Sequence, residues 1–150
     1  MDFKPNLTPK EIIHLGSFGG TYFDTDNGKI DIDYREFPSD WFKDLPDSYY
    51  KSKLYNKNIN FFNIKCGQTQ EEWEKKGWIN KQDPRGWFQW YCRYTLGRRL
   101  PEIDVIQINR WRAFGPRHIG GIKKNCPKKF FSCRKKQRQA LLQWAYSPFF

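Results

Sequence analysis

Aliphatic side chains are scarce in this 150-residue chain: Val105 is the only valine, and Ala113, Ala140 and Ala145 are the only alanines. A core of interlocking aliphatic side chains is thereby excluded, and burial must come from rings. Seven Trp, eight Tyr and thirteen Phe supply them, too many to leave in water, so a fully disordered chain is excluded as well. Long apolar runs are also missing. None approaches the roughly 20 residues that cross a bilayer, and no membrane partner is expected. No charged-then-apolar leader opens the chain, so no secretory signal is expected. Cysteine is sparse and irregular: Cys66, Cys92, Cys126 and Cys133 include no C-x-x-C pair. That excludes a dense disulfide framework and points to reduced thiols in an intracellular protein. A zinc site from Cys126, Cys133, His118 and a fourth ligand can be drawn, but C-x6-C is a poor spacing for a compact knuckle. No metal and no cofactor are expected. There is no nucleophile elbow, no HExxH and no Cys/His pairing, so no catalytic residue is named. Asp24, Asp26, Asp31 and Asp33 could hold a metal for nuclease work, but such an Asp-rich stretch reads better as a solvated edge.

Acidic side chains are absent from one long segment. Residues 1–64 carry eight Lys/Arg against ten Asp/Glu, whereas residues 65–150 carry 19 against six, within a net charge of +11. From Val105 to Phe150 there are eleven basic side chains and no carboxylate. An ordinary solvated surface mixes its signs, and a one-signed stretch of this length makes a field that attracts phosphate. The composition divides one domain, residues 1–150, into a mildly acidic N-terminal half (1–64) and a strongly basic helical half (65–150).

The pattern predicts a mainly α fold, a compact aromatic-rich helical domain with at most a small N-terminal β element. Thr8-Pro9-Lys10-Glu11 is a capping box opening a short helix that Gly16 stops. The glycines of Leu15-Gly16-Ser17-Phe18-Gly19-Gly20-Thr21 lack a P-loop's Gly-Lys-Ser/Thr ending and read as a tight reversal. Lys29 to Tyr34 alternates like a short strand, and residues 40–56 read as short helical pieces broken at Pro46. Thr69-Gln70-Glu71-Glu72 predicts a helix ending at Gly77, and Asp83-Pro84 another running through Leu96. Trp87, Trp90, Tyr91 and Tyr94 share one face of the latter, and Arg85, Gln89 and Arg93 another. A helix over Glu102–Phe114 is apolar nearly all round. Its Gln107, Asn109 and Arg110 must then include a substantially buried group that clamps onto an acid such as Asp83, Glu102 or Asp104, or lines a polar pocket. Gly115-Pro116 is expected to end that helix, 115–131 to be loop, and Ser132 to cap a last helix through about Tyr146. Trp87, Trp90, Tyr91, Ile106 and Trp111 are the expected core.

Arginines interleaved with rings can hold phosphates while rings stack on bases. The candidate nucleic-acid contacts are Arg85, Arg93, Arg98, Arg99, Arg110, Arg117, His118, Lys123, Lys124, Lys128, Lys129, Lys135 and Lys136. Of these, Lys123, Lys124, Lys128 and Lys129 are placed in a Gly/Pro-punctuated loop able to follow a backbone. The stretches LGSFGGTYF (15–23), NINFFNIKCGQTQEEWEKKGWINKQDPRGWFQWYCRYTLGRR (58–99) and QINRW (107–111) resemble a family of small uncharacterised proteins of giant DNA viruses, algae and fungi. The resemblance implies an origin, which the Lys/Asn/Phe/Tyr-rich composition of an A/T-rich genome would suit, and no mechanism. The function expected first is non-enzymatic, largely sequence-independent nucleic-acid binding, DNA rather than RNA, for instance in viral genome packing within a virion or host nucleus. A minor capsid or core protein binding acidic viral proteins, and a nucleic-acid-modifying enzyme, are the alternatives.

Overall fold

In a computed structural model of the chain, residues 2–24, 32–66 and 81–150 are described. Four α-helices organise them: α1 (Pro9–His14), α2 (Trp87–Thr95), α3 (Pro101–Asn125) and α4 (Lys135–Gln143). Four single 3-10 turns lie between α1 and α2, at Tyr34–Glu36, Ser39–Phe42, Asp47–Tyr49 and Lys57–Ile59. No strand occurs among the described residues, so the molecule is a mainly α domain. The helix expected from Thr69 lies outside the described residues, as does most of the strand expected from Lys29. The end of that strand is a 3-10 turn instead, where the Asp33 side chain accepts from Arg35 N–H and bends the backbone out of extension.

α1 forms as its capping box dictates. Thr8 Oγ accepts from Glu11 N–H, and Glu11 Oε1 accepts from Thr8 N–H. Gly16, at φ +63°, turns the chain away; a Cβ there would meet the Ile59 carbonyl at 2.2 Å. The following reversal is pinned by Asn60, whose buried side chain accepts from Gly19 N–H and donates to Ile64 O. The glycine-rich stretch is thus a close crossing of two chain segments.

The core is a continuous network of rings. Phe3 sits among Trp87, Trp90, Tyr91, Tyr94 and Trp111, with centroids 4.9–6.2 Å apart. Trp87 stacks on Tyr91 and on Trp144, Trp144 on Phe114, and Phe114 on His118. Three of these rings have their polar atom matched inside: Trp87 Nε1 donates to Gln107 O, Trp90 Nε1 to Asp104 Oδ1, and Tyr91 OH to Leu7 O.

Several expectations are corrected. α3 does not stop at Phe114 but runs to Asn125 through Gly115-Pro116. Pro116 is exposed on the outer side, where the freed carbonyl of Arg112 can meet water, so the usual cost of an interior proline is softened. On the inner side Gly115 lets the Tyr146 ring approach, and Tyr146 OH donates to Trp111 O. Lys123 and Lys124 therefore occupy the last turn of a helix. Ile106 is 58% exposed: the inward stripe of α3 is Asp104, Gln107, Ile108, Gly115 and Ile122, with Trp111 half-buried. Ser132 does not cap α4. Arg134, in left-handed conformation, holds that position without a side-chain cap. α4 also stops short of Tyr146, because Ala145 at φ +61° turns the chain and its carbonyl accepts from Asn6 and Leu7 N–H.

The expected reduced thiols hold for Cys66 and Cys92, both free and buried, but Cys126 and Cys133 form a disulfide. Two successive turns, closed by Phe130 N–H to Pro127 O and Cys133 N–H to Phe130 O, bring their Cα atoms to 5.8 Å. The pairing also removes both sulfurs from any zinc site.

Candidate nucleic-acid interface

The thirteen cations singled out from sequence fall into two groups. Those in and around α2 have partners inside the protein. Arg93 straddles the core edge, pairing with Glu36 at 2.7 Å and with Asp83 at 3.0 Å. Arg98 reaches the same Asp83, whose side chain is fully buried, at 2.6 and 2.8 Å. The Glu36 carboxylate, hydrogen-bonded to the guanidinium, raises the pKa of Arg93 further. Arg85 donates to the carbonyls of Tyr22 and Asp24, and Arg99 lies 3.7 Å over the Tyr94 ring and donates to Tyr94 O. A shallow recess of about 310 Å³ opens between Glu36, Arg93, Leu96 and Arg98, with both arginines already engaged. Asp83 is not the partner of Gln107, Asn109 or Arg110 that the sequence suggests. Its actual partners are Arg93, ten positions on, and Arg98, just past the C-terminus of α2. Gln107 is the buried member of its trio and accepts from Arg110, which lies over Trp144 and whose pKa burial lowers. Asn109 is exposed.

The second group gathers where α3 ends and α4 begins. Lys123 and Lys124 close α3, Lys128 and Lys129 lie in the disulfide-bounded loop, and Lys135 and Lys136 start α4; Arg134, which is not one of the thirteen, joins them at the N-cap of α4, and all seven are exposed. The disulfide and the α3–α4 contact, where Gly121 faces Gln137, hold these three runs at one end of the molecule. Arg117, also exposed, lies two turns back along α3. His118 is not a surface cation but part of the ring stack, 4.2 Å from Phe114, with Nδ1 3.1 Å from Phe114 O.

Electrostatics distinguish this end. The N-terminal carboxylates are answered locally, Asp2 by Lys4, Asp40 by Lys10, Asp33 by Arg35 and Asp47 by Lys51. Among the described residues, none pairs with a cation of 105–150. Lys123 and Lys124 sit favourably at the negative end of the α3 dipole, whereas Arg134, Lys135 and Lys136 crowd the positive end of α4. That second placement is adverse to folding, and an anion would relieve it.

Beneath the cluster lies Arg138, fully buried, a residue that sequence reasoning counted only as part of the basic run. Its guanidinium donates to the carbonyls of Cys133, Pro148, Phe150 and Phe130. It ties the disulfide loop to residues 148–150, and its position one turn into α4, among otherwise exposed cations, gave no signal of burial.

Among the described residues no three His, Cys, Asp or Glu side chains gather as metal ligands, and no helix is long and apolar enough to cross a membrane. Comparison of this chain with family models, curated proteins and solved structures finds no match.

Proposed function

We propose that this chain is a non-enzymatic, largely sequence-independent nucleic-acid-binding protein, acting through the basic end formed by α3, the disulfide loop and α4. One observation carries the reading: Lys123, Lys124, Lys128, Lys129, Arg134, Lys135 and Lys136 are exposed together, and no carboxylate among the described residues pairs with them. Phosphates would take the place of the missing counter-charges, releasing condensed cations from the nucleic acid. Long, solvated side chains suit backbone contact and carry little sequence information. Arg85, Arg93 and Arg98 are left out of this interface because their guanidinium groups support the fold.

Binding of the purified protein to duplex DNA, measured by fluorescence anisotropy across a salt series, tests the reading. Six engaged cations would give a slope of log affinity on log salt near roughly −5. Substituting Lys123, Lys124, Lys128 and Lys129 together by Gln should flatten the slope by up to about four and weaken all sequences alike. Its melting temperature should hardly move, since exposed lysines contribute little to folding. A parent protein with no measurable DNA affinity at physiological salt, but with capture of an acidic capsid protein, would replace this reading with the virion-structural one.

A further inference from the structure

Phe130 stands apart among the rings of the described residues, most of which pack against one another. It is 54% exposed, and no ring contact is made to it among the described residues. Phe61, the other strongly exposed aromatic among the described residues, leans on Phe62 and Phe149. The next residue, Phe131, turns inward against Phe149 and lies beneath the Arg138 guanidinium. Phe130 is nevertheless held by its backbone. Its N–H donates to Pro127 O at 3.2 Å, and its carbonyl accepts from Cys133 N–H at 3.0 Å and from buried Arg138 at 3.3 Å. The Cys126–Cys133 disulfide closes the loop around it. Lys128 and Lys129 precede it, Arg134 follows four residues later, and all three are exposed.

We propose that Phe130 is a base-stacking platform for single-stranded nucleic acid, flanked by Lys128, Lys129 and Arg134 as phosphate contacts. The inference rests on the nucleic-acid-binding reading above and adds to it the form of the ligand. In a duplex the faces of the bases are covered by their neighbours, so a protein ring reaches one only by prising the stack apart, a cost that an unpaired base does not carry. One exposed ring among cations matches the repeating unit of a single strand, a flat base on a charged backbone. Every base has such a face, which keeps the contact tolerant of sequence. A loop anchored by a disulfide and a buried guanidinium presents the ring with little ordering cost on binding. Docking on a lipid surface is the less favoured reading, because it calls for a broad apolar face and Phe131 is turned inward.

The experiment compares the parent protein, F130A, F130W and K128Q/K129Q on fluorescent dT20 and on a 20-base-pair duplex, with melting curves as the folding control. F130A should lose about 5- to 100-fold in affinity for dT20, leave duplex affinity within twofold, and melt like the parent. F130W should restore or exceed parental dT20 affinity, and K128Q/K129Q should weaken both ligands. If F130A binds dT20 like the parent while K128Q/K129Q weakens both, the ring is no platform and the electrostatic reading stands without it. If the parent binds neither oligonucleotide, the underlying reading fails and takes this inference with it. Binding to vesicles of one part phosphatidylglycerol to three parts phosphatidylcholine, lost in F130A while dT20 affinity is unchanged, would overturn the proposal in favour of a lipid surface.

Discussion

Trp90 is wholly buried, and its one polar atom is answered by Asp104 Oδ1 at 2.8 Å, whose other oxygen accepts from Leu100 N–H. The ring therefore joins two kinds of stabilisation, and two substitutions separate them. Trp90→Ala opens a cavity among Phe3, Trp87 and Tyr94 and should cost about 3–5 kcal/mol. Trp90→Phe keeps most of the apolar contact but strands a carboxylate oxygen, and should cost about 1–3 kcal/mol. Urea unfolding of the two variants checks both figures, and an alanine variant as stable as the parent would contradict the buried assignment. The same scale shows why rings were easier to place from sequence than charges. A tryptophan has one outcome that fits a chain poor in aliphatic residues, whereas an arginine is equally at home on a phosphate, a carboxylate or a carbonyl. Arg93 and Arg98 converge on Asp83 and Arg138 on four carbonyls, while Lys128 and Lys129 are exposed. Nothing in the local spacing separates these cases, because each depends on which distant segment folds against the side chain.

The helix α3 gives the contrast at the scale of an element, since two of its glycines face opposite surroundings. A Cβ at Gly115 would lie 2.1 Å from the Tyr146 ring, while one at Gly120 would meet nothing within 4 Å. Gly120→Ala should stabilise the protein by about 0.8–1 kcal/mol through helix propensity alone. Gly115→Ala gains the same propensity but must push a buried tyrosine off Trp111, and overpacking of that kind costs about 1–3 kcal/mol, so it should lower the melting temperature. Paired thermal melts of the two variants, moving in opposite directions, are the check. The Gly-Pro dipeptide at 115–116 is also where reading the chain from local signals goes astray. Gly-Pro usually terminates a helix, yet here Tyr146 and Ile122 hold the inner face on both sides of it. α1, by contrast, was legible to within a residue, ending at His14 with Leu15 as its C-cap, because its capping box satisfies its own N–H groups without tertiary help. α2 was legible in type and in its aromatic face but not at its start: Asp83-Pro84 does not open it, because Gly86 at φ +96° is its N-cap, and Arg85 lies in the turn before Trp87. The disulfide loop was not, because the two turns that close it leave no pattern beyond one proline. The interface was legible as a charge segment, with its shape missing.

For the whole molecule, buried acids of high pKa set a direction for the response to pH. Burial pushes the Cys66 thiol up from 9.0 to about 12, and the Tyr146 phenol from 10.0 to about 12. Tyr22, Tyr91 and Cys92 are raised for the same reason. Each keeps its proton in the folded protein at pH values where the unfolded chain would release it. The folded state then binds more protons, and stability must fall as pH rises. The contribution is complete below about pH 9 and is lost progressively toward pH 12, so urea midpoints should decline steadily across that range. A midpoint that held constant from pH 9 to 11 would contradict the burial of these groups. Closure of the fold has a separate consequence, one that concerns synthesis. Asn6 and Leu7 donate to the carbonyl of Ala145, Ser147 N–H donates to Asn6 Oδ1, and Gln139 and Gln143 both donate to Ser17 O. The first helix therefore completes its bonds only with the last. At about 5–20 residues per second, a ribosome needs roughly 7–30 s to travel from Asn6 to Ala145. Throughout that interval Asn6, Leu7 and Ser17 lack these C-terminal partners, and part of the segment between them and Ala145 is still inside the exit tunnel when the last of it is made. Final closure of the ring core must then await emergence of Trp144 and Ala145 from the tunnel, and the emerging N-terminal segment is one that chaperones have time to meet.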